Sequence, residues 1–199
     1  MADDIRVVRL GRGDIADAVL EDVARLRCEV FREYPYLYDG DMAYEKRYLA
    51  TLASGDGTIV LALDGQRLVG AATAMPLEHA HSEFQQPLRD AGFEPATWYY
   101  LAESVLLPRH RGRGIGVRFF DEREAAAREA GYRSTCFCAV ARADDDPRRP
   151  DDHASLDTFW RRRGYAPLRG VSGTFAWREI GDAHESEHEM RYWGKTLER

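Results

Sequence analysis

The chain is 199 residues long and 44% hydrophobic, enough for one sizeable core and short for two, so a single domain over residues 1–199 is expected. A formal net charge of −6 argues against a general nucleic-acid binder, although the basic side chains are almost all arginine, with only Lys46 and Lys195 as lysines. The start, M-A-D-D-I-R-V-V, has no apolar signal core, and no run approaches the roughly 18 apolar residues of a membrane span, so a cytoplasmic protein without a membrane partner is expected.

Residues 5–10 read as a first strand, and Asp14 is the candidate N-cap of a first helix. Ile15, Val19, Val23, Leu26, Val30 and Phe31 recur at helical spacing until Pro35 disfavours continuation. The next stretch concentrates Tyr34, Tyr36, Tyr38 and Tyr44 around Asp39 and Asp41, before a second helix at residues 42–52. Residues 58–63, an Asp64-Gly65 turn and residues 67–74 form the clearest hairpin signal in the chain. Residues 75–97 make a long connection with a short helix near 85–91. His79 and His81 lack a third defined ligand, and Cys28, Cys136 and Cys138 cannot all pair, so a polar surface and reduced core thiols are the expectation, with no metal.

Residues 99–107 have the aromatic and branched composition of a buried strand, which Pro108 ends. Gly112, Gly114 and Gly116 then alternate in a turn whose backbone can approach a ligand with no Cβ in the way. From Ile115 onward, Phe119, Phe120, Ala126, Ala127 and Ala130 mark one helical face, with Gly131 suited to the C′ position. Free amides and the positive end of the helix dipole make the turn an anion site, with Arg111 and Arg113 adding charge. A phosphate or pyrophosphate is its natural guest. The Walker loop is excluded because Val117 and Arg118 follow Gly116, and the dinucleotide fingerprint because the spacing is G-x-G-x-G.

Ser134–Val140 is a strand, and residues 141–153 form a charged, solvated loop. Residues 154–163 form a helix with Leu156, Phe159 and Trp160 inward and Gly164 as its stop, before two last strands at 175–180 and 190–197. Between those strands His184 to His188 spells H-E-x-x-H, but its acidic flanks and the lack of a downstream ligand mark it as a polar loop or hairpin arm.

R-G-R-G-I-G at residues 111–116 matches every fixed position of Arg/Gln-x-x-Gly-x-Gly/Ala, and so resembles the pyrophosphate loop of the GNAT superfamily of acyl-CoA-dependent N-acyltransferases. The hydrophobic-x-hydrophobic-Pro run ending at Pro108, and Trp160, Gly164 and Tyr165 as aromatic-x-x-x-Gly-aromatic, extend the match. The resemblance implies an α+β fold, with a mixed, mostly antiparallel sheet flanked by helices. It also implies transfer of an acetyl group from acetyl-CoA to a primary amine of a small molecule or peptide. A catalytically silent acyl-CoA-binding regulatory module is the alternative, and a homodimer stays open.

By the same resemblance the CoA diphosphate meets the amides of Arg111, Gly112, Arg113, Gly114, Ile115 and Gly116, and the pantetheine arm runs along Val105, Leu106 and Leu107. The Leu106 N–H would polarise the thioester carbonyl where two strands splay apart. Tyr36, Tyr38, Asp39 and Asp41 are implied as acceptor contacts, with a packed surface loop as the plainer reading. Alternation puts Glu103 on the strand face of Leu101 and Val105, where desolvation would suit a general base; pairing with an arginine is the plainer reading. The family's usual proton-donating tyrosine is replaced by Trp160, whose indole is too weak an acid and would wall the CoA channel instead. Tyr165 and Ser155 remain as substitutes, and Val140, Ala141 and Arg142 stand where the family often has an asparagine.

Overall fold

The computed structural model describes residues 5–11, 13–54 and 56–198, so the first residues of the chain lie outside it. Seven strands and five helices follow one another as β1 (Arg6–Leu10), α1 (Asp17–Val30), α2 (Met42–Ser54), β2 (Thr58–Asp64), β3 (Arg67–Pro76), α3 (Ser82–Asp90), β4 (Trp98–Leu106), α4 (Ile115–Glu129), β5 (Ser134–Val140), α5 (Asp157–Arg162), β6 (Ala166–Trp177) and β7 (Ser186–Thr196). They build one sheet in the order β1-β2-β3-β4-β5-β7-β6. Every pairing is antiparallel except β4 with β5.

The apolar runs of β2 and β3 are buried nearly end to end, as strands covered on both faces must be. Glu103 on β4 reaches Arg27 of α1, and the next residue, Ser104, receives Arg123 of α4. Successive side chains of a strand point to opposite faces, so α1 and α4 lie on opposite sides of the sheet. α3 joins the α1 side, since the Tyr192 hydroxyl donates to the Phe84 carbonyl and Phe84 packs on Tyr48 of α2. α5 joins the α4 side through Phe159 against Phe120.

The β3–β4 register jumps from Thr73↔Glu103 to Met75↔Tyr100, leaving Ala74 alone opposite Leu101 and Ala102. This is a β-bulge, and it overturns the expected parity. Leu101 packs with Phe120 and Ala127 of α4, whereas Glu103 turns to α1 and α2. Arg123 repairs the disrupted ladder: its guanidinium donates to the Thr73 carbonyl at 3.3 Å, to the Glu103 carbonyl at 3.0 Å and to the Ser104 hydroxyl at 2.8 Å. Burial pulls that guanidinium down to about 10.

Other expectations shift locally. The N-cap of α1 is Ala16, not Asp14, whose amide instead closes a turn onto the Gly11 carbonyl. Ala130 is exposed, and the buried face of α4 takes in Arg123 and Glu124. α5 is shorter than expected, and Leu156 sits just before it, 57% exposed rather than inward. β6 and β7 are longer, so H-E-x-x-H falls across the hairpin and the start of β7, with His188 stacked on Trp177 at 3.7 Å.

Candidate active site

β4 and β5 pair only from Trp98↔Ser134 to Tyr100↔Cys136, although both strands run on to Leu106 and Val140. Beyond Tyr100 they diverge and leave a gap in the sheet. The Leu107 amide donates to the Val69 carbonyl of β3 at 3.0 Å, so residues of its parity face β3 and the amide of Leu106 faces the gap. Across it, the Ala141 amide donates to Glu189 of β7 at 2.8 Å, which turns the Val140 amide into the gap by the same rule. The side chains of Val105 and Leu107 are buried in the core, and the Leu107 amide belongs to the β3 side.

At the mouth of the gap the turn before α4 is held open by Gly112 and Gly114, with φ of 75° and 78°. Apart from its chain neighbours, no atom of the described residues lies within 4 Å of a Cβ built on either one. The Arg111 amide, expected among the diphosphate donors, is taken by the Pro108 carbonyl at 3.1 Å, and the next amide to find a backbone acceptor is that of Arg118, on the Gly114 carbonyl at 3.2 Å. The amides of Gly112, Gly114, Ile115 and Gly116 thus have no backbone acceptor among the described residues. The side chain of Ile115 is buried in the core, so only its amide is available to a ligand. This is the donor set an anionic diphosphate needs. Arg111 does not point over the turn: its Nε donates to the Leu106 carbonyl at 3.0 Å and its Nη1 lies 2.9 Å from Glu33.

On the α1 side of the gap the wall is charged and aromatic. Arg27 lies between the rings of Phe31 and Tyr48, at 4.9 and 4.6 Å, and pairs with both Glu45 and Glu103. All three are buried, with exposures of 7% for Arg27, 1% for Glu45 and 9% for Glu103. Burial alone would pull the Arg27 guanidinium down, but Glu103 and Glu45 together push it up. The other oxygen of Glu103 accepts from the Tyr48 hydroxyl at 3.2 Å, so the carboxylate has a partner on each side. The pairing with an arginine is what the geometry shows.

The implied acceptor residues separate. Asp41 caps α2, accepting from the Ala43 amide at 2.8 Å, and Asp39 lies 2.7 Å from Arg178. The Tyr38 oxygen accepts from the Asp41 amide at 3.3 Å. The Tyr36 ring packs between Phe31 at 4.6 Å and Trp177 at 5.9 Å, and burial, with Cys138 nearby, pushes its phenol up. Trp160 packs on Phe137 and Trp193 on the opposite side of the sheet, at 5.0 and 5.1 Å. Tyr165 bonds Thr135 and Glu124, at the level where the strands are still paired, and Ser155 bonds Asp157 next to α5.

Sequence reasoning missed Arg27, Arg123 and Arg142. The first two show only as charges placed on otherwise apolar helical faces, beside Val23 and Leu26 and one turn after Phe119. Among the described residues no His, Cys, Asp and Glu group of three or more gathers as a metal would require, and no helix is long and apolar enough to cross a membrane.

The profile of the acetyltransferase (GNAT) family matches residues 20–150. No curated protein matches the chain. Among solved structures, ribosomal-protein-alanine N-acetyltransferase from Brucella melitensis superposes with a TM-score of 0.61 at 15% identity, over 96% of this chain and 99% of its own. The protein yncA of Salmonella typhimurium, solved with its cofactor acetyl-CoA, gives 0.61 at 9% identity, over 97% and 95%. The polyamine N-acetyltransferase of Drosophila melanogaster, which forms N-acetylagmatine, gives 0.60 at 13% identity, over 96% and 100%. The chain belongs to the acetyltransferase (GNAT) family and is an acetyl-CoA-dependent N-acyltransferase.

Proposed function

We propose that the protein is a single-domain cytoplasmic enzyme that acetylates a primary amine, with the reaction seated in the gap between β4 and β5. The diphosphate of acetyl-CoA rests on the amides of residues 112–116, and its thioester enters the gap with the carbonyl oxygen on the Leu106 amide. As the carbonyl becomes tetrahedral, negative charge grows on that oxygen. A fixed donor in a water-poor cleft then stabilises the transition state more than the ground state.

The acceptor amine comes from the other side, past the loop that carries Tyr36. Glu103, held between Arg27 and Tyr48, is an anchor of the acceptor wall: its fixed negative charge favours an approaching cationic amine. The amine must shed its proton before attack, and with Glu103 ion-paired to Arg27 the free amine is drawn from solution. The observation that carries this reading is the end of β4–β5 pairing at Tyr100↔Cys136, with the Leu106 and Val140 amides left facing each other.

Release of free thiol from acetyl-CoA across a panel of amines tests it. The panel spans agmatine, spermidine, lysine methyl ester and alanine-initiated peptides. Saturable turnover on at least one member is expected. Tight CoA binding with no turnover on any of them overturns the enzyme reading in favour of a silent binding module.

A further inference from the structure

We infer that Arg142 and Glu179 are positioning residues for the acceptor: they lock the α1–α2 connection, residues 31–41, against the end of β5, so that delivery of the amine depends on them and binding of acetyl-CoA does not. The inference rests on the reading above, in which the amine approaches past that connection.

The connection carries no helix or extended strand, and such a segment moves unless something holds it. It lies where the gap opens: Tyr36 packs in one apolar cluster with Ala102 of β4 and Val140 of β5, both beyond the last pair at Tyr100↔Cys136. Just past the end of β6 its backbone is stitched to the hairpin. The Asp39 amide donates to the Arg178 carbonyl at 2.9 Å, the Ile180 amide donates to the Leu37 carbonyl at 2.8 Å, and Tyr38 is bridged to Glu179. Leu37 has φ of 53°, a left-handed conformation that a branched side chain occupies only where its surroundings enforce it.

Arg142, two residues past β5, closes the other side. Its Nε donates to the Pro35 carbonyl at 2.7 Å and its Nη2 to the Tyr36 carbonyl at 3.2 Å, and the Trp177 indole N–H donates to that same carbonyl at 3.0 Å. Two successive carbonyls suit the planar fork of a guanidinium, whose donors point in fixed directions; a lysine ammonium is a single point charge. The fork is itself held by Glu179, whose carboxylate also takes Arg148, and it lies 3.9 Å from Asp146. Asp146 in turn is 3.1 Å from Arg148, and His188 Nδ1 is 3.5 Å from Glu179. The side chains of Arg142, Asp146 and Glu179 are only 12%, 8% and 4% exposed, so a loop that reads as solvated in the sequence supplies most of a largely buried cluster of two cations and two anions.

Taking paired charges out of water is a weak way to gain stability, because desolvation offsets the attraction; what such a cluster does is select one arrangement over its alternatives. Here the arrangement selected is that of two loop carbonyls beside the gap. Held by its main chain, the connection keeps its place whatever its side chains touch. The diphosphate seat at residues 112–116 is built separately, by the glycine turn before α4, so the two substrates depend on different parts of the chain.

The test uses the full chain with acetyl-CoA and the best amine of the panel. Arg142→Lys keeps a positive charge beside Glu179 and loses the fork. It is expected to melt near wild type while kcat/KM for the amine falls about 10- to 100-fold, the scale of a misplaced reactant, with KM for acetyl-CoA unchanged. Amide hydrogen exchange followed by mass spectrometry is expected to quicken at residues 37–39 and 180 in that variant. Glu179→Gln, which deprives Arg142 of its carboxylate, gives the same pattern. Trp177→Phe keeps a ring on His188 and removes one donor from the Tyr36 carbonyl, so it lowers the same ratio by a smaller factor and tests the inference even where the charged variants fold poorly. Wild-type kcat/KM for the amine in Arg142→Lys and Trp177→Phe, an equal rise in KM for acetyl-CoA, or unchanged exchange at the connection overturns the inference and leaves the enzyme reading standing. Wild-type protein that binds acetyl-CoA but turns over no amine overturns that reading, and the inference with it.

Discussion

Arg27 is the residue whose removal the structure prices most clearly. Among the described residues it is the cation paired with both buried carboxylates, Glu45 at 1% exposure and Glu103 at 9%, so Arg27→Met strands both in the protein interior. Breaking a buried ion pair from one side costs about 3–5 kcal/mol, most of it the desolvation of the charge left behind. For a chain of this size about 1 kcal/mol shifts the melting temperature by about 2–4 °C, so a fall of about 6–20 °C is expected at pH 7.5. Thermal melts followed by circular dichroism measure it. The triple variant Arg27→Met, Glu45→Gln, Glu103→Gln carries no stranded charge and recovers much of the loss. A deficit under about 1 kcal/mol, or a triple variant no better than the single, would refute the reasoning.

Three further outcomes follow from the same geometry. Arg123→Met leaves the Thr73 and Glu103 carbonyls at the bulge without their donor, and at about 1–3 kcal/mol for each unsatisfied group the chemical-denaturation midpoint falls clearly; an unchanged midpoint sinks the bulge-repair role. Gly114→Ala forces an L-residue into φ near 78° at about 1–2 kcal/mol, in open space, so stability falls modestly while calorimetry shows a larger loss of CoA affinity as the amides re-aim; intact affinity argues against the amide cup. His188 is held below its ordinary value by burial, with the Trp177 carbonyl, Glu179, Arg142 and Arg148 around it. Stability it contributes is present above its unfolded value and lost as pH falls through its folded one, so melting drops on acidification below about pH 6.5 and His188→Gln flattens that slope; an equal slope in the variant refutes the assignment.

Much of this was legible because its signals are local. The glycine turn before α4, the Asp64-Gly65 hairpin and the bounds of β5 are each written in fewer than a dozen consecutive residues, where backbone conformation is set by the residues themselves. The bulge was not, because it exists only in the register of β4 against β3, and one extra residue moved Glu103 from the face of Leu101 to that of Arg27. The lengths of β6 and β7 were hidden by exposed polar residues alternating along a hairpin at the sheet edge. The tyrosine-rich loop read as one candidate set, yet Asp41 caps α2, Asp39 pairs with Arg178, and the Tyr36 carbonyl is held by Arg142 and Trp177, residues far along the chain that no local pattern could point to.

A crystal structure of the full chain with acetyl-CoA tests the central claim most directly. The account predicts the diphosphate on the amides of residues 112–116 and the thioester oxygen about 3 Å from the Leu106 nitrogen, between the diverging ends of β4 and β5. Acetyl-CoA bound with its thioester outside that gap, or its diphosphate away from the glycine turn, would contradict it.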